Sequence, residues 1–226
     1  DMGPNFREAF FGSTSFTGLL PKLPSGLTQL DAFNSRITGG FTNSNFEDAT
    51  SLLFLRLTGT SLNSTIPITL STLASLRFFY IQDAFVETDF AFLPGMDALE
   101  EFWIDSNNLG GNLPVAITEL PSFISFSITS CQIVGPLDPA FGSFADLSFK
   151  NLFLYDNKLS GIIPTEMGGN SRVERYRFEG NDFTGSMPES VSNLRAIREL
   201  GVDCAEVVCP FCTCCDLAEC AALSTL

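Results

Sequence analysis

Residues with reactive side chains are few in this chain and unevenly placed. The 226 residues include no His, so every catalytic arrangement in which His activates a nucleophile is excluded. A pair of carboxylates could still act as it does in glycosidases, and the candidates are Asp83, Glu100, Glu101 and Asp105. We expect these acids to be solvated side chains on an acidic surface. The sequence also has no phosphate-cradling glycine loop. The sequence predicts no enzyme, no catalytic residue and no cofactor.

Cysteines are concentrated at the C-terminal end of the chain. Six of the seven lie after residue 203: Cys204, Cys209, Cys212, Cys214, Cys215 and Cys220. A dense, even-numbered cluster is typical of disulfides formed in an oxidising compartment. The alternative is a zinc site built from Cys209, Cys212, Cys214 and Cys215, but a single tight cluster lacks the usual second pair at a distance. We therefore predict disulfides and no metal, with the pairing left open.

A sequence pattern recurs eight times, every 21 to 26 residues. Apolar residues stand two and six positions after a common reference position, here called the ladder position. Glycine often stands four positions after it, and proline often follows the second apolar residue. A period of this length is typical of a solenoid, in which each unit buries its apolar face against its neighbours. The ladder positions are Thr14, Ser35, Thr60, Ala84, Asn107, Cys131, Asn157 and Asn181.

Before each ladder position the apolar pattern alternates, as in Phe102 and Ile104. Alternation predicts a short strand with one buried face, and stacked units then form a parallel sheet. An Asn in the ladder position can bond the backbone of neighbouring units. We expect Thr14, Ser35 and Thr60 to do part of this, and Cys131 to be a buried, inert thiol. Ala84 cannot make such bonds, so its unit should be locally irregular.

These positions resemble the leucine-rich repeat, L-x-x-L-x-L-x-x-N-x-L, over roughly residues 6–203. The segments Gly161-Ile-Ile163-Pro164 and Gly185-Ser-Met187-Pro188 resemble the G-x-I-P element of the plant-type subclass. The resemblance implies an α/β solenoid: a right-handed superhelix with a parallel sheet on its concave face and few regular helices. Phe replaces Leu at many core positions, and we expect these rings to fill the core as a stacked column.

The pattern divides the chain into repeats over residues 1–203, about eight units and a partial one, and a cysteine-rich cap over residues 204–226. The cap segment is similar to the cysteine-rich tails of repeat proteins from diatoms and related algae. No paired-cysteine cap precedes Phe6, and the chain begins at Asp1. We therefore expect a mature or truncated piece of a longer chain, with further repeats or another chain covering the N-terminal end.

Composition restricts the partners. The chain has 26 acidic and 12 basic residues and a net charge of −14, which would repel nucleic acids and anionic membranes. No apolar run approaches the ~20 residues that a membrane span requires, so no direct membrane insertion is predicted in this segment. Asn63-Ser-Thr65 is a glycosylation sequon, expected in a solvated turn.

Outward-facing strand positions carry more large side chains than a solvated sheet requires. Four aromatic residues cluster in three consecutive units, and two form a second group; acidic residues lie beside the first group. Grouped exposed aromatic side chains are typical of a contact surface. The alternative is that aromatic pairs across strands only stabilise the sheet. The predicted ligand-binding residues are Phe54, Phe78, Tyr80, Trp103, Asp83, Glu101, Asp105, Phe153 and Tyr155.

These features predict an extracellular or cell-surface recognition module that binds a protein, peptide or glycan on its concave sheet face. A receptor or adhesion ectodomain has that function, and the neighbouring acids favour a partner with Lys or Arg. A secreted inhibitor of cell-wall hydrolases is the second hypothesis. A structural matrix or ice-binding protein is the third and weakest, because it needs a regular surface residue, and Thr58 and Thr129 are not in neighbouring units.

Overall fold

A computed structural model describes residues 6–146 and 148–223. Short strands recur along the chain, and the few helices are short. The strands are β1 (Glu8–Phe10), β2 (Thr17–Leu19), β3 (Gln29–Asp31), β4 (Arg36–Thr38), β5 (Phe54–Arg56), β6 (Phe78–Tyr80), β7 (Glu101–Trp103), β8 (Ser125–Ser127), β9 (Val134–Pro136), β10 (Asn151–Phe153), β11 (Lys158–Gly161), β12 (Arg175–Arg177), β13 (Asp182–Phe183), β14 (Gly185–Ser186), β15 (Glu199–Gly201) and β16 (Val207–Val208). The α-helices are α1 (Asn43–Phe46), α2 (Glu189–Ser192) and α3 (Leu217–Leu223), and 3-10 helices span Ile68–Thr72, Val115–Glu119, Pro139–Gly142 and Thr165–Gly168.

The described residues form two compact units, each made of several repeats, and a single repeat is called a coil from here on. The N-terminal unit takes the residues up to Leu109 and Leu120–Ser122, and the C-terminal unit takes Gly110–Glu119 and the residues from Phe123 onward. In the N-terminal unit β1, β3, β5, β6 and β7 pair in that order, all parallel, and β2 pairs with β4. In the C-terminal unit β8, β10, β12 and β15 form the equivalent parallel row, with β9, β11 and β13 beside it and β14 paired to β16. The predicted solenoid with parallel sheets is confirmed.

Both units are built around phenylalanine rings. In the N-terminal unit Phe79 and Phe102 stack at 5.1 Å between ring centroids, and Phe92 meets both edge-on. In the C-terminal unit Phe123 stacks on Phe149 at 6.1 Å. These side chains are fully buried. The rings take the core positions that Leu holds in the repeat pattern, as the sequence predicted.

Asn107 shows why the ladder position stabilises the stack. Its side-chain Nδ2 donates to the carbonyl oxygen of Ile104 in its own coil (2.8 Å) and to that of Ile81 in the preceding coil (2.9 Å). Its Oδ1 accepts from the N–H groups of Ala84 (3.2 Å) and Val86 (3.0 Å). A single buried side chain thus satisfies backbone groups that would otherwise be buried without partners.

Asn157 repeats this pattern in the C-terminal unit. Its Oδ1 accepts from the N–H groups of Cys131 and Ile133, both at 3.0 Å, and its Nδ2 donates to the carbonyl oxygen of Ile128 at 2.7 Å. Cys131, in the ladder position, is a fully buried thiol outside the disulfides. Its Sγ donates to the carbonyl oxygen of Thr129.

The hydroxyl side chains in the ladder position are weaker substitutes for Asn. Thr14 and Thr60 each donate to a carbonyl oxygen of their own coil, those of Phe11 (2.6 Å) and Leu57 (2.7 Å). The prediction for Ser35 was wrong: its buried hydroxyl has no hydrogen-bond partner among the described residues. A short serine side chain does not reach the groups that Asn bridges.

A left-handed residue precedes the ladder position in every coil, and this turn ends the strand. The eight residues are Ser13, Asn34, Gly59, Asp83, Ser106, Ser130, Asp156 and Gly180. The coil around Ala84 has two further left-handed residues that are not glycine, Phe85 (φ 55°) and Phe90 (φ 61°), whereas the coils of Thr60 and Cys131 have one each, Asn63 and Gln132. The irregularity expected of that coil is present.

Two physical reasons explain why glycine occurs four positions after the ladder position. Gly39 and Gly185 have φ of 80° and 91°, a conformation that disfavours other residues. A Cβ at Gly39 would also collide with Leu19 of the preceding coil, and one at Gly185 would lie 3.4 Å from Ile162. At Gly39 the absent side chain therefore leaves room for the exposed Leu19.

No helix in the described residues is long and apolar enough to cross a membrane. The division into repeats over 1–203 and a cap over 204–226 stays a prediction.

Candidate functional site

The sheet face, meaning the outward side chains of the main parallel strands, carries the predicted aromatic residues of the N-terminal unit. Phe54 and Phe78 lie side by side in register, and Tyr80 and Trp103 occupy the next outward row. The ring centroids are 6.3 Å apart for Phe54–Phe78, 5.6 Å for Phe54–Tyr80 and 5.0 Å for Tyr80–Trp103. All four are half-buried. We call these four residues the aromatic cluster.

Strand alternation explains the position of the cluster. Leu55, Phe79 and Phe102 face the core and are fully buried, so their neighbours in the strands face outward. Parallel strands lie about 4.8 Å apart, which brings outward aromatic rings in register within contact distance. The sequence predicted this grouping, and the structure brings the four rings together.

Tyr80 is held in place by an acidic neighbour. Its hydroxyl donates to Oε2 of Glu101 at 2.6 Å. Burial, followed by this hydrogen bond to a carboxylate, raises the pKa of Tyr80 well above its ordinary value. Tyr80 is therefore a neutral donor at physiological pH. Glu101 acts in the first instance by orienting Tyr80, a role that the sequence reading did not assign to it.

Arg56 is a further member of the site that the sequence reading did not select. It lies in the same outward row as Tyr80 and Trp103. Its guanidinium binds the Asp31 carboxylate in a bidentate ion pair, with Nε–Oδ1 at 2.8 Å, and lies 4.4 Å from the centre of the Phe33 ring. Arg56 lies between the apolar residues Leu55 and Leu57, and Asp31 takes the matching position of the preceding coil. This pattern in the sequence could have identified Arg56 as an outward, ion-paired residue.

A depression of about 280 Å³ opens between these side chains. Thr58 and Gln82 are polar residues of its lining, and the Thr58 hydroxyl donates to Oε1 of Gln82 at 2.6 Å. Its volume is at the lower end of the range typical of small-molecule pockets, about 300 Å³. The depression is lined by Phe33, Asn34, Arg56, Thr58, Tyr80, Gln82 and Trp103.

The remaining predicted acids are not equivalent. Asp83 is exposed at the left-handed turn after β6, and Asp105 is half-buried. Glu100 is bound by Arg77 through two hydrogen bonds of 2.7 and 3.0 Å. Of the acids named from the sequence, Asp83 is the one whose side chain is open to a partner.

The second aromatic group lies in the C-terminal unit and has a different environment. Phe153 and Tyr155 are half-buried, and the guanidinium of Arg177 lies 4.9 Å from the centre of the Tyr155 ring. Arg177 is itself buried and forms ion pairs with Glu179 and Glu199, the latter at 2.6 Å. Arg177 takes an outward strand position in register with Phe153, yet its side chain is buried.

The six C-terminal cysteines form three disulfides. The pairs are Cys204–Cys215, Cys209–Cys212 and Cys214–Cys220. Among the residues described, no group of three or more His, Cys, Asp or Glu side chains is placed to hold a metal ion. Asn63 is exposed in a left-handed turn, and its glycosylation stays a prediction.

Parallel strands, an Asn ladder and outward-facing strand positions together define the leucine-rich repeat fold, and solved structures share it. The ectodomain of the Arabidopsis thaliana receptor kinase GASSHO1/SCHENGEN3, in complex with CASPARIAN STRIP INTEGRITY FACTOR 2, matches 87% of the chain with a TM-score of 0.77 and 22% identity. The plant peptide hormone receptor RGFR1, in complex with RGF2, matches 88% with a TM-score of 0.78 and 22% identity. Internalin C2 of Listeria monocytogenes matches 86% with a TM-score of 0.67 and 15% identity.

The chain spans 24% and 32% of the lengths of the two plant proteins and 80% of the internalin. No family model matches the sequence, and no curated protein is significantly similar to it. At these identities the likeness establishes the fold alone.

Proposed function

We propose that the chain is an extracellular recognition module that binds a peptide segment of its partner across the sheet face of the N-terminal unit. The observation that carries the proposal is the aromatic cluster, half-buried beside an open depression with a partly polar lining. Aromatic anchors surrounded by satisfied polar groups are the usual centre of a protein interface. The six paired cysteines support an oxidising, extracellular compartment.

The dimensions favour an extended peptide. The depression runs from Phe33 to Trp103, over four neighbouring coils. Three spacings of about 4.8 Å give a length of about 14 Å, which an extended chain covers in about four residues. Its small volume fits side chains better than a drug-sized molecule. Several of the structurally similar proteins are solved with peptide ligands, such as the receptor kinase HAESA with the hormone IDA.

Charge defines the expected sequence of the peptide. Asp83 is exposed at one edge of the site, while the charge of Arg56 is already neutralised by Asp31. We expect a ligand with an apolar or aromatic side chain over Tyr80 and Trp103 and a Lys or Arg beside Asp83. The net charge of −14 favours such basic partners at long range.

The test is selection of a random peptide library on the 226-residue protein, followed by affinity measurements with a selected peptide. Trp103→Ala and Tyr80→Ala should each weaken binding by about tenfold or more, as expected of hot-spot aromatic residues. Leu19→Ala is the matched control, because Leu19 is a large exposed side chain of the same unit outside the main sheet. Unchanged binding by a folded Trp103→Ala protein would refute the site. Failure to select any peptide, with binding to a glycan array instead, would transfer the proposal to sugars.

A further inference from the structure

The C-terminal segment lies on the sheet face of the last coil. Gly201 occupies an outward position of β15, in register with Arg177 of β12. A Cβ on Gly201 would lie 2.6 Å from Sγ of Cys220 and 3.1 Å from Sγ of Cys214, and it would collide with the Glu179 carboxylate. The Cys214–Cys220 disulfide therefore sits directly over Gly201, where only a glycine leaves space for it.

Neighbouring contacts extend this covered area. A Cβ on Gly180 would lie 3.0 Å from Cδ1 of Leu217, the first residue of α3. Behind the disulfide, the N–H of Thr213 donates to the carbonyl oxygen of Leu200 at 2.9 Å, and Cys214 forms a bridge with Gly201. We call the Cys214–Cys220 disulfide together with α3 the cover.

A charged cluster lies beneath the cover. Arg177 stands between Glu179 and Glu199, so two carboxylates share one guanidinium. The Glu179 side chain is fully buried, and its Oε2 has no hydrogen-bond partner in the described part of the chain. That oxygen faces the disulfide sulfurs and Gly201, which offer it no strong donor.

An unpartnered buried carboxylate oxygen destabilises the folded state, and more so when the group is charged. Among the described residues of this unit, buried Asn151 Oδ1 and Asn170 Nδ2 also lack hydrogen-bond partners, and Glu179 is the ionisable group in that set. A ligand that brought an ammonium or guanidinium group to Glu179 would supply the missing donor. The cover thus lies on this surface without donating a hydrogen bond to Glu179, whereas a basic group could donate one.

We propose that the sheet face of the C-terminal unit holds a second binding surface, for a Lys or Arg side chain, formed by Glu179, Glu199 and Tyr155, and that the cover occupies it until the Cys214–Cys220 disulfide opens. Burial raises the pKa of Glu179, which agrees with a carboxyl group that lacks a full complement of donors. Cys204–Cys215 would keep the released segment tethered beside the surface.

Opening requires a dithiol reductant. Its thiolate attacks one sulfur of the Cys214–Cys220 bond, forms a mixed disulfide and releases the other cysteine as a thiolate. The second thiol of the reductant then resolves the mixed disulfide, so the reductant leaves as a cyclic disulfide and both cysteines end as thiols. Because both sulfurs are buried, this step needs local opening of α3.

The experiment compares Cys214→Ser/Cys220→Ser with the matched control Cys209→Ser/Cys212→Ser, whose disulfide closes a shorter loop outside the covered area. Carbodiimide labelling of Glu179, mapped by mass spectrometry, reports exposure. Labelling should rise about tenfold in the first variant and change little in the control, as expected when a local cover is lost. Gly201→Ala, which keeps every cysteine, should raise the labelling in the same direction by displacing the cover.

Tetralysine is the probe for the uncovered surface. Its affinity should rise about tenfold in Cys214→Ser/Cys220→Ser, because apparent affinity scales with the fraction of competent molecules. Adding Glu179→Gln should remove the gain. Unchanged Glu179 labelling in both the double variant and Gly201→Ala would overturn the proposal. Labelling that rises only together with amide exchange throughout β10 would overturn it too, because the unit would then be unfolding. A rise in labelling without any gain in tetralysine affinity would equally overturn it.

Discussion

Arg56 and Arg177 stand at the same position of the repeat, four residues before a ladder residue, in the two units of the molecule. The Arg56 side chain is 35% exposed, pairs with Asp31 and borders an open depression. The Arg177 side chain is 6% exposed, pairs with Glu179 and Glu199, and lies in register with Gly201, on which the cover rests. The repeat determines where an outward side chain stands. Whether that side chain contacts solvent or becomes a buried ion depends on what lies on the sheet face.

The largest expected effect comes from removing the buried arginine. Arg177→Met should destabilise the C-terminal unit by about 3–5 kcal/mol, because it leaves two carboxylates buried without their partner. Arg56→Met should cost about 1 kcal/mol or less, since its ion pair is partly exposed. Urea unfolding followed by amide exchange of β12 and β5 measures both. Equal losses in the two variants would show that burial does not separate the two arginines.

For the Asn ladder we expect the opposite result: equivalent substitutions in the two units should lower the free energy of unfolding equally. Asn107→Ala and Asn157→Ala each remove a side chain that serves buried N–H and carbonyl groups of two coils. Each should cost about 2–4 kcal/mol, from two or more buried groups left unpaired. The same unfolding measurement tests this. A large difference between them would mean that the two units differ in their stacking as well as on their faces.

The sequence was sufficient for what the repeat itself determines. Alternation around Phe102 and the Asn in the ladder position of the coil predicted the strand, the core and the ladder bonds. It was insufficient around Arg177, because the neighbouring Gly201 is covered by a segment about 40 residues after Arg177 that folds back onto the sheet. It also missed the role of Glu101, since the hydrogen bond to Tyr80 depends on register between neighbouring strands. Contacts made by one repeat can be predicted from its pattern, whereas contacts from outside the repeat cannot.

Glu179 gives the covered face a pH dependence. Its pKa is raised, mainly by burial, so the folded state holds this proton more tightly than the unfolded chain does. The C-terminal unit should therefore lose stability as pH rises from about 4.5 through the raised pKa. The charged groups that face Glu179 are Arg177 and Glu199. Glu174, whose pKa is lowered chiefly by its hydrogen bond to Lys150, acts with the opposite sign. The informative quantity is thus the difference between wild type and Glu179→Gln, measured by urea unfolding at several pH values. That difference should decrease with rising pH, and a flat difference would contradict the assignment.

The smallest expected effect concerns two left-handed residues at equivalent positions, Phe85 and Gln132, with φ of 55° and 59°. Each follows a ladder residue that is not Asn, and in each coil the left-handed turn lets two N–H groups converge on the Asn of the next coil. Glycine adopts this conformation without the steric cost that other residues have. Phe85→Gly and Gln132→Gly should therefore each stabilise the protein by about 0.5–1 kcal/mol, as measured by thermal unfolding.

These two substitutions also separate stability from recognition. Phe85 is 61% exposed and lies two residues after Asp83, so its replacement removes little buried area. If Phe85 contributes to the peptide site, Phe85→Gly should raise the melting temperature while weakening the selected peptide, whereas Gln132→Gly should raise the melting temperature alone. An aromatic ring kept at a conformational cost at the edge of the open face would then be explained by binding. Equal peptide affinity in both variants would assign Phe85 to the turn only and confine the recognition surface to the sheet.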